Sequence, residues 1–138
     1  MRFMIIVKAT AATEAGAMPE EALLAAMASY HEALAQAGVL LDGNGLQPSA
    51  KGWRIRYRAG RRTEIDGPFA EVKELIAGYT LIQVRSRDEA MEWARRFPAP
   101  HGESVDAEIE VRQLFELSDF EPGAALERFH AIDAAQKS

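Results

Sequence analysis

Arg2-Phe3-Met4-Ile5-Ile6-Val7 is apolar at every position after the first. In an extended strand successive side chains point to opposite faces, so Phe3, Ile5 and Val7 line one face while Met4 and Ile6 line the other. A segment apolar on both sides must be covered on both sides, which predicts a central strand. Its surroundings follow from the rest of the chain. Pro19, with Glu20 and Glu21 beside it, suits the start of a helix, where a missing N–H costs nothing and carboxylates meet the positive end of the dipole. Leu23, Met27, Tyr30 and Leu34 then recur at helical spacing, and Gly38 stands where a left-handed cap is expected.

Val39 to Leu41 predicts a second strand, ending in a Gly43-Asn44-Gly45 turn that runs on as a loop through Pro48. Trp53, Ile55 and Tyr57 alternate with Arg54, Arg56 and Arg58, the pattern of a half-buried strand with the tryptophan in a packing position. Ala59-Gly60 turns the chain and Arg61 to Ile65 returns, giving a β-hairpin. Asp66-Gly67-Pro68-Phe69 stops it. A short helical stretch is expected through Leu75, then a strand over Tyr79 to Val84. Ser86 and Glu89 match a capping box, and Ala90, Trp93, Ala94 and Phe97 mark a second amphipathic helix ended by Pro98. Ile109 and Val111 start a last strand expected to reach about Leu117, and Leu126, Phe129 and Ile132 suggest a helix after Pro122.

The order β-α-β, hairpin, β-α-β is that of an α+β, ferredoxin-like split βαβ with an inserted hairpin. Two helices cover one sheet face, and the apolar Met4 and Ile6 require a cover for the other. A second copy of the chain, closing two sheets into a dimeric α+β barrel, supplies it.

Composition bounds the rest. Of 138 residues 48% are hydrophobic and 27% charged. Alanine makes up 25 of the hydrophobic residues, leaving 41 larger apolar side chains, enough for one domain. There is no cysteine, so disulfides, thiol nucleophiles and thiolate metal sites are excluded. No apolar run approaches a membrane span, and Phe3 to Val7 is too short for a signal-peptide core, so a cytoplasmic protein is expected. The net charge is 16 − 21 = −5, which argues against direct nucleic-acid binding by the chain as a whole. Charge is segregated, however. Lys51, Arg54, Arg56, Arg58, Arg61 and Arg62 form an acid-free segment of six cations, leaving −5 − 6 = −11 on the other residues. Such a strip can guard a strand edge or hold an anionic ligand or partner.

Asp66-Gly67-Pro68-Phe69-Ala70-Glu71-Val72-Lys73-Glu74, followed by Gly78-Tyr79, resembles the signature of the YCII-related family in its DGPF-motif subgroup. The similarity extends to Phe3–Val7, to Ala37-Gly38-Val39-Leu40, to the loop Gly43 to Ser49 and to Asp88-Glu89-Ala90, covering residues 1–117. A helical extension over 118–138 lies beyond it. The resemblance implies a homodimeric α+β barrel. It implies less about activity: some relatives accompany extracytoplasmic-function sigma factors, which makes a sigma factor a conceivable partner, and one in the wider group is a dehydrochlorinase acting on a chlorinated hydroquinone through a His and Asp pair. That enzyme's histidine corresponds to Met27 here, one turn before His31.

Asp66 is the first candidate for chemistry: its carboxylate can cap the following turn or serve as an acid/base in a pocket. His31, on the flank of the first helix's stripe, can reach the sheet and pair with Asp66, or sit there without a partner. Glu71 and Glu74, three apart, share a face that is either solvated or lines a cleft, with Lys73 beside them. Ser49, Arg54 and Arg56 complete a candidate ligand set. No residue spacing is diagnostic of a metal or cofactor, and none is expected. The functional expectation is a small anionic or phenolic metabolite bound in a dimer cleft, with proton-transfer chemistry of an isomerase or lyase kind. The alternative is a non-catalytic binding or regulatory module.

Overall fold

The computed structural model describes residues 1–137. Strand β1 spans Arg2–Lys8, a single-turn helix α1 Ala11–Glu14, and helix α2 Glu21–Gln36. Strand β2 follows at Leu40–Gly45, then β3 (Trp53–Arg58), β4 (Arg61–Asp66), β5 (Ile76–Gln83), helix α3 (Arg87–Arg95), β6 (Ile109–Gln113) and helix α4 (Ala124–Lys137). Four strands form one sheet in the order β2-β5-β1-β6, with every neighbour antiparallel. This is the α+β, ferredoxin-like arrangement expected, with β3 and β4 set apart as a two-stranded ribbon.

β1 is central, flanked by β5 and β6. Phe3 and Ile5 pack with Ile82 and Val84 against Tyr30 and Leu34 of α2 and Ala90 and Trp93 of α3, forming the buried core. Burial of side chains this size contributes ~1.5–3 kcal/mol each. Tyr30 sits at the junction of the helices, where its hydroxyl donates to the Trp93 carbonyl at 2.7 Å and its ring meets Trp93 and Phe97 edge-on. Burial pushes the Tyr30 phenol up to about 12. Ser86 caps α3 by accepting from the Glu89 N–H at 3.1 Å, as its position predicts. The Glu89 carboxylate reaches back to the Arg85 N–H, one residue before the cap.

Met4 and Ile6 lie on the opposite face, across from Leu81 and Tyr79. Both are half-buried, and charge surrounds them: Glu110 pairs with Lys8 at 3.4 Å and with Arg112 at 3.2 Å.

Several local expectations are corrected. Gly43-Asn44-Gly45 is strand, not turn, because the backbone pairs with β5 as far as Gly45 opposite Gly78. A bulge between Leu40 and Asp42 shifts the alternation of β2 by one residue. The helical stretch before β5 is only a 3-10 turn at Val72–Glu74, and β5 starts at Ile76. The last strand stops at Gln113 rather than near Leu117, since the segment beyond folds into a 3-10 turn at Leu117–Asp119. The hairpin is not half-buried: every residue of β3 is exposed, Trp53 and Tyr57 at 66% each, because the ribbon pairs only with itself. The helix after Pro122 forms as α4, with Phe129 and Ile132 exposed. Ser138, the last residue of the expected extension, lies outside the described residues.

Candidate functional site

The bulge at Leu41 decides what each face of β2 presents. Beyond it, Gly43 and Gly45 turn toward α2, and Asp42 and Asn44 turn to the open face. On β5 the helix-facing positions are Gly78, Thr80 and Ile82. The helix-facing side of β2 and β5 therefore carries glycine at Gly43, Gly45 and Gly78, a floor without side chains beside Thr80.

His31 stands at the inner end of that floor. Its Nδ1 lies 2.7 Å from the Met27 carbonyl and its Nε2 2.8 Å from the Thr80 hydroxyl. A carbonyl only accepts, so Nδ1 carries the proton, and in the neutral ring Nε2 accepts from Thr80. Thr80 is 2% exposed, and this bond satisfies a hydroxyl placed among apolar side chains. Among the described residues, the open face offers a second polar group: Tyr79 Oη donates to Asp42 at 2.9 Å, while Asn44 Nδ2 donates to Asp42 and to Tyr79 Oη at 3.1 Å each.

The candidate residues divide into three places. His31 takes the first of the two readings left open for it and reaches the sheet, and the group it meets there is Thr80, not Asp66. Asp66 ends β4 in an exposed position, and among the described residues its carboxylate makes no hydrogen bond. It does not cap the following turn, because the Phe69 N–H donates instead to Ser49 Oγ at 3.1 Å. Ser49 in turn donates to Glu14 through both Oγ, at 2.8 Å, and its backbone N–H, at 3.0 Å. Arg54 rests on the Phe69 ring, 3.7 Å from its centre. Ser49, Arg54 and the Asp66-Gly67-Pro68-Phe69 turn thus form one junction with α1. Arg56 is exposed on the same ribbon face as Arg54, two residues on. Glu71, Lys73 and Glu74 are exposed around the 3-10 turn.

Sequence reasoning passed over Thr80, Gly43 and Glu14. For Thr80 a signal existed: it falls in phase with Ile82 and Val84, and a polar residue on a buried phase needs a partner. Nothing in the sequence marked the bulge that puts Gly43 under His31.

An antiparallel sheet in this order with two helices on one face defines an α+β protein of ferredoxin-like form. The model of the YCII-related domain matches residues 1–117, and the chain belongs to that family. It is also similar to an uncharacterised protein of Rhizobium meliloti (strain 1021), with 34% identity over 76 residues, or 55% of this chain and 61% of the relative. The match thus spans about three fifths of the relative's length.

Proposed function

We propose that this protein binds a small anionic or phenolic molecule between α2 and the glycine floor, and that His31 carries a proton to or from it. The observation supporting this is the two-point hold on the imidazole. With Nδ1–H fixed on the Met27 carbonyl, the basic nitrogen is Nε2, aimed at the sheet. A ligand hydroxyl or activated C–H that gives its proton to the Thr80 hydroxyl, as Thr80 passes its own to Nε2, leaves an imidazolium whose Nδ1–H bond to the carbonyl strengthens. Thr80 Oγ1, now holding the ligand's proton, accepts from the new Nε2–H, so the charged ring keeps both partners. That is the requirement of an isomerase-like or lyase-like proton transfer. Asp66 belongs to a separate place, at the root of the ribbon, and this reading does not need it.

The same proposal includes a homodimer through the open sheet face. Half-buried Met4, Ile6 and Leu81 support it, since a second copy would complete their burial. A monomer at micromolar concentration in sedimentation would remove that part.

A second reading has its own support. Arg54, Arg56, Arg58 and Arg61 share one face of the exposed ribbon, and among the described residues none has an ion-pair partner. This suits a binding or regulatory module docking an anionic partner, a sigma factor among the possibilities. A thermal-shift screen of small carboxylates and phenols separates the two. Stabilisation lost in His31→Gln supports the proton-transfer site. Stabilisation insensitive to His31→Gln but lost when the ribbon arginines are neutralised supports the module.

A further inference from the structure

The sheet has two free edges, and they differ. The β2 edge is interrupted by the bulge and by Gly43 and Gly45, devices that discourage another strand from pairing. β6 runs along β1 with no irregularity. Lys8 N–H bonds to the Glu108 carbonyl and Leu114 N–H to the Arg2 carbonyl, which sets the phase of the ladder. Residues 108, 110, 112 and 114 are thus the ones bonded to β1, and the N–H and C=O groups of Ile109, Val111 and Gln113 point outward along the free edge.

The side chains of Ile109 and Val111 face the helices, and beside them the gap to α3 opens as a groove of about 520 Å3. Its walls include Met91 and Val111, 39% and 37% exposed. Arg87 and Arg95 stand along α3, and Arg112 rises from the strand itself. Arg95 is shared with Glu92 and Arg112 with Glu110, while among the described residues Arg87 has no ion-pair partner. A protected edge would place a charge on the inward phase. Here that phase carries Ile109, Val111 and Gln113, none of them charged.

We propose that β6 accepts an extended acidic peptide from a partner protein as a fifth strand. The peptide backbone pairs with Ile109, Val111 and Gln113. Its alternate apolar side chains enter the groove, and the carboxylates between them lie on the open face beside Arg112. A small apolar ligand fits less well, because it would leave the outward row of N–H groups bare. The edge of five residues spans ~17 Å, enough to fix register and direction. This inference is independent of the site at His31.

The probe is a capped heptapeptide alternating valine with glutamate, titrated into the full chain and followed by calorimetry and amide hydrogen exchange. The proposal expects saturable binding, with new protection at the amides of Ile109, Val111 and Gln113. It expects affinity to fall at least about tenfold for a valine–lysine peptide and for Arg112→Glu. N-methylation of the peptide at alternate residues should abolish binding, since that removes only its backbone donors. Val111→Lys should do the same, and Met91→Glu replaces it if the melting curve shows Val111→Lys unfolded. Absence of saturable binding, or binding indifferent to N-methylation, overturns the proposal. Protection of those three amides that grows with protein concentration alone also overturns it, and assigns the edge to a second copy.

Discussion

Gly43 lies directly beneath the imidazole of His31: a Cβ built at Gly43 would stand 3.1 Å from Nε2 and 3.2 Å from Cδ2. The absence of a side chain on β2 is what allows the ring to approach Thr80. Gly43→Ala should therefore force the imidazole to give by a few tenths of an ångström and destabilise the fold by ~1 kcal/mol, the low end for overpacking a fitted contact. The check is a double-mutant cycle in urea. In a His31→Ala background the same Gly43→Ala change should cost much less, and equal costs in both backgrounds would show that the ring is not what the methyl meets.

Thr80→Val keeps the shape of the side chain and removes the hydroxyl that faces Nε2. Stability should fall by ~1–2 kcal/mol, because the ring nitrogen loses its partner on the sheet. Nitrogen chemical shifts of His31 provide a second readout. The protonated Nδ1 signal should persist, held by Met27, while the Nε2 signal moves. Loss of both would mean that the helix carbonyl does not fix the tautomer.

How much of this was legible beforehand depends on the range of the interaction. Periodicity recovered β1, α2 and α3, since Phe3, Ile5, Leu34 and Trp93 show their burial through spacing alone. That His31 could reach the sheet was visible from its place on the flank of the α2 stripe, but the same place also suited a boundary histidine without a partner. Its partner on the sheet was not visible, because the pairing of His31 with Thr80 depends on β2 lying beside β5 with a one-residue bulge. Nor does alternation distinguish a strand buried on one face from a ribbon standing clear of the body, so Trp53 and Tyr57 looked like packing residues. The Asp66-Gly67-Pro68-Phe69 turn was legible as a turn, but its capping group comes from Ser49, 20 residues away.

Gly67 is required for a reason different from backbone freedom. A Cβ there would collide with the carbonyl of Ser49, a backbone atom that cannot swing aside. Gly67→Ala should destabilise the chain more than Ser49→Ala, which removes two hydrogen bonds and leaves the Phe69 N–H without a protein partner, a loss of ~1–3 kcal/mol. Amide exchange at Phe69 should accelerate in Ser49→Ala while that at Ile5 tracks only global stability. Unchanged exchange at Phe69 would show that Ser49 does not hold the turn.

The burial of Tyr30 between α2 and α3 predicts the alkaline limit of the fold. The phenol is neutral in the folded chain up to about 12, whereas in the unfolded chain it ionises at its ordinary value of about 10. Between these values the unfolded state binds fewer protons than the folded one, so stability falls as pH rises. The contribution is complete below about pH 10 and is lost progressively up to about pH 12. Urea midpoints measured from pH 8 to 12 should show this decline in the native sequence and a flatter course in Tyr30→Phe. Parallel declines in the two proteins would place the alkaline transition elsewhere than the junction of α2 and α3.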